Sequence, residues 1–292
     1  INLFIISFTE AAYYYCENLT KSNYENFPVA SFFIPKSKRN SIYSIYAFAR
    51  TADNIADSKH LPPNDKMEKL NLMQNLLYSE PQYDKLDVHF KSIFTALHDT
   101  LENTKIDKED LKSLLYAFKQ DVNKNRYESY EDLLQYSKYS ADPVGSIILQ
   151  LFGYNKTRDK ELFSYSDKIC SALQFANFWQ DVSLDLLINR VYIPLQNMEK
   201  YEYSVNDLYA KVENDKFKRI MKELVDETEN MFNEGKELPK HLSGTLKFEI
   251  SATIKGGMKI LDLIRKNNYK VLSHRVKLSK RNKLSILLKS IF

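Results

Sequence analysis

Apolar residues recur through most of the chain at intervals of three and four, the spacing of one face of an α-helix. The pattern predicts helices over 9–22, 40–57, 64–79, 84–103, 107–124, 129–151, 157–187, 213–235, 246–271 and 278–291. Prolines punctuate the intervals. Pro28 and Pro35 fall between the first two helices, Pro62, Pro63 and Pro81 between later ones, and Pro194 and Pro239 precede further helices. Pro143 departs from this rule. It lies inside a helical pattern, in Ala141-Asp142-Pro143-Val144-Gly145, where the missing N–H predicts a kink or a break. There is no internal repeat at the roughly 20–50-residue periods of solenoids. The reading is an all-α chain, taken as a single domain over residues 1–292.

Composition narrows the choice. With 43% hydrophobic and 27% charged residues, enough apolar surface exists to offset chain entropy, which excludes disorder. Two cysteines exclude a disulfide scaffold, and Cys16 and Cys170 read as buried reduced thiols. The 6 glycines are about 2% of the chain against an average of roughly 7%. Neither GxGxxG nor GxxxxGK[ST] occurs, so a glycine-rich nucleotide fold is not expected. The five histidines lack HxxxH or HExxH spacing, which disfavours a zinc site. A net charge of +4, mixed along most of the chain, and no recognition motif disfavour nucleic acid as a partner. The segment from Lys255 onward is strongly basic and interleaved with apolar residues. It reads either as a terminal helix packed on the body or as a polybasic helix on an anionic membrane. No run of about 18 apolar residues exists to cross a bilayer. The expected location is cytoplasmic, with peripheral contact at the inner face of a membrane left open.

Two matching motifs carry the chemistry. Asp53-Asn54-Ile55-Ala56-Asp57 and Asp181-Val182-Ser183-Leu184-Asp185 each place two aspartates at i and i+4, on one helical face. Like charges at that spacing destabilise an isolated helix by a few tenths of a kcal/mol, roughly, so something should compensate. A divalent cation would, and carboxylate oxygens suit Mg²⁺. At helical spacing upstream lie Tyr46 and Arg50 in the first stripe, and Gln174 and Asn177 in the second. Two such stripes facing each other would cage several Mg²⁺ ions and bind a diphosphate. A single DxxxD is most often decoration on a solvated face. Both pairs, however, follow aromatic stretches, Ile42–Ala49 and Phe175–Trp179, and carboxylates among apolar side chains are costly unless paired.

These stretches resemble the squalene/phytoene synthase family. Tyr46-Ala47-Phe48-Ala49-Arg50-Thr51-Ala52-Asp53-Asn54-Ile55-Ala56-Asp57 is similar to its first aspartate motif. Asn177-Phe178-Trp179-Gln180-Asp181-Val182-Ser183-Leu184-Asp185 with Arg190-Val191-Tyr192-Ile193-Pro194 is similar to its second. Pro143-Val144-Gly145 and Arg275-Val276-Lys277-Leu278-Ser279-Lys280 also follow its pattern. The N-terminal segment Asn23-Tyr24-Glu25-Asn26-Phe27-Pro28-Val29-Ala30-Ser31 resembles the hydroxysqualene-forming, hopanoid-linked branch. Gln180 points the same way, since condensing members usually carry Arg there. The sequence departs from the pattern at Asn23, where His is usual, and at Asn54, where a third acid is common.

The resemblance implies a trans-isoprenoid synthase helical bundle with a central cavity. It implies that presqualene diphosphate ionises, rearranges and is captured by water, giving hydroxysqualene and diphosphate without NADPH. Head-to-head condensation to presqualene diphosphate, dehydrosqualene or phytoene stays open, as does a non-catalytic assembly role. Partner enzymes of the same pathway are possible.

Asp53, Asp57, Asp181 and Asp185 are the expected ligands of two or three Mg²⁺ ions bound with the diphosphate. Arg50 is expected to clamp phosphate oxygens bidentately. Arg190 and Arg275 share that role or serve as structural charges. Tyr127 stands near the diphosphate by resemblance, or packs in the core. Phe27, Tyr46, Phe175 and Phe178 are aromatic faces for the cation. Tyr46, Asn177 or Gln174 would hold the attacking water, and Gln180 would alter how diphosphate is held. Gly145, beside Pro143, is expected to leave room for an isoprenoid tail.

Overall fold

The computed structural model describes residues 7–22, 34–79 and 86–291. Among them the chain is helical, without a strand, apart from an isolated bridge between Arg126 and Val191. None of the described helices is long and apolar enough to cross a membrane. The segment 23–31, with Asn23 and Phe27, lies outside the described residues.

The chain divides into two compact units. The first, residues 1–123 and 147–154, holds α1 (Phe8–Ser22), α2 (Lys36–Asp57), α3 (Pro63–Tyr78), α4 (Val88–Glu102) and α5 (Lys108–Asp121). Helix α2 packs against α1, α3, α4 and α5 through Ala47, Phe48, Ala52 and Ile55, all buried. The small Ala47 and Ala52 let neighbouring helices come close, and Phe48 fills the space edge-on to Phe94. Tyr13 donates to Asp99 at 2.6 Å, and the Ser44 and Thr100 hydroxyls lie 2.8 Å apart, so these four polar groups are partnered within the unit. Asp87 and Asp107 cap α4 and α5, accepting from Phe90 N and Glu109 N.

The second unit, residues 124–146 and 155–292, is built on α8 (Lys160–Asp185). Around it lie α6 (Tyr130–Ser140), α11 (Asp215–Gly235), α12 (Leu238–His241) and α13 (Gly244–Lys266), and α14 (Lys280–Ile291) packs on α13. Helix α7 (Asp142–Leu151) begins in this unit and ends in the first. Trp179, fully buried on α8, donates its indole N–H to Thr228 of α11 at 2.8 Å.

The helical pattern over 129–151 is two helices. The first ends at Ser140, with Ala141 as its C-cap at a widened φ of −117°, and Pro143 falls in the first turn of α7, where a missing N–H breaks no intrahelical bond. Helix α13 stops at Lys266 rather than 271 because Asn268 and Tyr269 adopt φ of 53° and 61°. Three short helices had no periodic signal: α9 (Leu195–Lys200), α10 (Val205–Tyr209) and α12. Gly145 also corrects an expectation. A Cβ there would lie 2.2 Å from Ser166 Oγ and 2.6 Å from Cys170 Sγ. The glycine lets α7 approach α8; it does not clear space for a lipid tail. Neither cysteine forms a disulfide; Cys16 is buried and Cys170 partly exposed.

Next to this break, Asp142 Oδ1 accepts from Ser171, whose hydroxyl lies 2.7 Å from that of Ser137, which bonds Leu134 O. Burial pushes the Asp142 carboxyl up to about 7, and the charge of Asp167 adds to this; the Ser171 hydrogen bond and Lys138 and Lys168 oppose it. Since the folded value exceeds the ordinary one, the stabilisation is complete in acid and is lost as pH rises through 7. Asp142→Asn is expected to flatten that dependence. In urea unfolding the wild type should lose stability relative to the variant between pH 5 and 8, by on the order of 3 kcal/mol at most. Parallel pH curves for the two proteins would contradict it.

Candidate active site

Each aspartate pair is positioned by the buried face of its own helix. On α2 the buried residues Tyr43, Ala47, Thr51 and Ile55 fix the helix's rotation. Tyr46, Arg50 and Asp53 come out half-buried and Asp57 exposed, within an arc of about 60° at 100° per residue. Arg50 Nη1 donates to Asp53 Oδ2 at 3.1 Å. Arg50 Nε is buried without a hydrogen-bond partner. A buried unpaired guanidinium N–H is costly, and an incoming anion would satisfy it.

On α8 the buried face runs through Ile169, Ala172, Phe175, Ala176 and Trp179. Gln174, Asn177, Asp181 and Asp185 form the opposite stripe and are partly exposed. Gln174 is held by Ser140 at the end of α6, its Nε2 donating to Oγ at 2.8 Å. Phe178 stacks flat on Tyr192, ring centroids 3.6 Å apart. Tyr192 also stacks with the buried Tyr127. Asp181 is gripped by Arg275, which donates through Nε to Oδ1 and through Nη2 to Oδ2, the latter at 2.8 Å.

The chain after α8 is folded back tightly. Leu186–Ile188 form one 3₁₀ turn, Asn189 takes φ 59°, and Arg190 N donates to Asp185 O at 2.9 Å. Arg126 locks this turn, with Nη1 to Asn189 O at 2.6 Å and Nη2 to Asn189 Oδ1 and Tyr209 at 2.8 Å each. Val191 N and Leu195 N then donate to Asn125 O and Tyr127 O. Arg126, Ser140, Asn189 and Tyr192 were not singled out in the sequence. The compact Asn-Arg-Val-Tyr-Ile-Pro run was the available signal for two of them.

Several expected roles take a different form. Phe175 is fully buried between Tyr130, Phe178 and Trp179, so its faces pack in the core rather than lining a substrate surface. Gln180 is buried and its Nε2 donates to Val276 O at 2.6 Å, so the amide ties down the C-terminal segment. Arg190 is partly exposed. Neither carboxylate of the first pair is buried: the Asp53 side chain is 36% exposed and Asp57 is exposed.

The donor chemistry suits magnesium arriving with a phosphate. Among the described residues no three His, Cys, Asp or Glu are gathered around one point. Each carboxylate pair would leave coordination positions for phosphate oxygens and water, the usual way Mg²⁺ is held.

Comparison with known proteins agrees with the motifs. The squalene/phytoene synthase family model matches residues 20–282. A hydroxysqualene synthase of Sinorhizobium fredii is 31% identical over 87% of this chain and 84% of its own. That of Zymomonas mobilis is 37% identical over 63% of this chain and 59% of its own. The crystal structure of squalene synthase HpnC from Alicyclobacillus acidocaldarius superposes with a TM-score of 0.80 at 32% identity, covering 89% of this chain and 95% of that one. With a match running from before α2 to the start of α14 and both aspartate motifs inside it, the chain belongs to the squalene/phytoene synthase family.

Proposed function

We propose that the protein is a hydroxysqualene synthase that converts presqualene diphosphate and water to hydroxysqualene and diphosphate. The observation that carries this reading is the 31–37% identity to hydroxysqualene synthases. In the reaction the C–O bond to diphosphate breaks and its electron pair leaves with the diphosphate. The cyclopropylcarbinyl cation rearranges, water oxygen adds to it, and one proton is released. No electrons enter, so no reductant is required.

Asp53, Asp57, Asp181 and Asp185 are proposed to hold the magnesium, which when bound supplies Lewis-acid neutralisation of the leaving group. Arg50 would place its unpaired Nε–H on a phosphate oxygen, strengthening a contact that grows as charge develops. The stacked Phe178 and Tyr192 would offer an aromatic face to the cation. Asn177, partly exposed one turn before Asp181, and Gln174, oriented by Ser140, would hold the attacking water. Contact of the basic C-terminal segment with an anionic lipid surface is a further part of this reading. It is supported by Leu284 and Leu287, exposed among Lys280, Arg281 and Lys283 on α14.

The purified full chain with Mg²⁺ should turn presqualene diphosphate into hydroxysqualene in the absence of NADPH, detected by mass spectrometry. Farnesyl diphosphate supplied alone should persist. Its consumption would replace this reading with head-to-head condensation.

A further inference from the structure

Asp181 does not stand open to a metal. Both of its oxygens accept from the guanidinium of Arg275, in the fork geometry that arginine makes with carboxylates. The backbone carrying Arg275 is pinned on both sides. Glu213 accepts from Leu272 N, Ser273 N and Ser273 Oγ at 2.8, 3.1 and 2.6 Å. On the other side Gln180, next to Asp181 in the chain, donates to Val276 O at 2.6 Å. The pair is partly solvated, with side chains 26% and 21% exposed. The guanidinium therefore has room to pivot while its backbone stays anchored.

A divalent cation bound to Asp181 would compete with the guanidinium for the same oxygens, and if Arg275 stayed it would set three positive charges side by side. A diphosphate resolves the conflict. Its oxygens accept the same guanidinium fork, so Arg275 exchanges one anionic partner for another without being left unpaired. We propose that Arg275 couples the two ligands: it occupies Asp181 in the unloaded protein, opposes metal bound alone, and passes to the diphosphate when metal and diphosphate arrive together. Arg275 is thereby a positioning residue that makes the second aspartate motif conditional on substrate. Linkage requires the effect to be reciprocal, so metal raises diphosphate affinity by the same factor. The inference rests on Asp181 being a metal ligand, as proposed above.

The test uses Mn²⁺ as a spectroscopic substitute for Mg²⁺ and inorganic diphosphate as the anion, with the full chain. Free Mn²⁺ is followed by electron paramagnetic resonance and binding by calorimetry. In the wild type, Mn²⁺ alone should bind weakly and diphosphate should strengthen it markedly. In Arg275→Gln, Mn²⁺ alone should bind several-fold more tightly, while the strengthening by diphosphate shrinks by about tenfold, or ~1.4 kcal/mol of coupling. Arg275→Lys keeps the charge and loses the fork. It should bind Mn²⁺ alone as the wild type does and keep only part of the coupling. Asp181→Asn separates the two layers. If it binds Mn²⁺ and diphosphate like the wild type, Asp181 is not a ligand and both readings fall. If it weakens binding but Arg275→Gln leaves Mn²⁺-alone affinity and coupling unchanged, the coupling role alone is overturned.

Discussion

Asp53→Asn and Asp181→Asn should each lower kcat/KM for presqualene diphosphate by on the order of a thousandfold, the upper range for removing one electrostatic group from a developing leaving-group charge. The substitution keeps size and one acceptor oxygen and removes one negative charge. At Asp181 it also breaks the two-oxygen fork with Arg275, a partly solvated pair, so urea unfolding should show a modest loss of stability with the fold retained. Asp57 is exposed whereas Asp53 is half-buried beside Arg50, so Asp57→Asn should cost less than Asp53→Asn. Raising Mg²⁺ should recover part of the lost activity in the Asp57 variant first, because a weakened site fills at higher metal concentration. The combined Asp53→Asn, Asp181→Asn variant decides whether both motifs serve one leaving group. Groups that act as a unit are far from additive, so the double variant should lose little more than the worse single one. Wild-type kcat/KM in either single variant, with the same Mg²⁺ dependence, would sink the metal-ligand assignment of the aspartate replaced.

The stripes that carry these aspartates were legible because helical periodicity is a local property. A spacing of four residues places Asp53 with Asp57, and Asp181 with Asp185, whatever packs on the other side. The same arithmetic separates two phenylalanines that residue type alone could not. At 100° per residue Phe178 lies about 60° from Asp181 and Phe175 about 120°, toward Ala172 and Trp179. The structure accordingly leaves Phe178 partly exposed and buries Phe175. The break at Pro143 was legible for a similar reason, since a missing N–H has a local consequence. What could not be read were partners distant in sequence. Arg275 and Asp181 lie 94 residues apart, Gln180 and Val276 96. No periodicity records such pairs. The role of Gly145 was misjudged for the same reason. Its small size answers to Ser166 and Cys170 on another helix, whose register along α7 only the assembled unit reveals.

The stability of the second motif depends most on Trp179, two residues before Asp181 and on the opposite side of α8. It is fully buried, packs on Phe175 and Phe178, and donates to Thr228 of α11. Thr228 in turn donates to Leu224 O at 2.7 Å, so its hydroxyl stays satisfied if the indole is removed. The expected loss is therefore one of packing. Trp179→Ala should destabilise the protein by about 3–5 kcal/mol, the range for emptying a large aromatic site that the surroundings cannot refill. Against a typical total of roughly 5–15 kcal/mol, that is a large share. Trp179→Phe keeps most of the ring volume and gives up the hydrogen bond, so it should cost markedly less than the alanine variant. Urea unfolding of the three proteins provides the comparison, with the midpoint shifted and the slope unchanged if only the folded state is affected. Because α8 is oriented by this buried face, the phenylalanine variant also separates packing from chemistry. It should keep kcat near the wild-type value, while activity lost in the alanine variant should track the fraction unfolded. Equal stability of the alanine variant and the wild type would mean that α8 is held against α11 by something other than this side chain. In that case the rotation that points Asp181 and Asp185 away from the core would need a different origin.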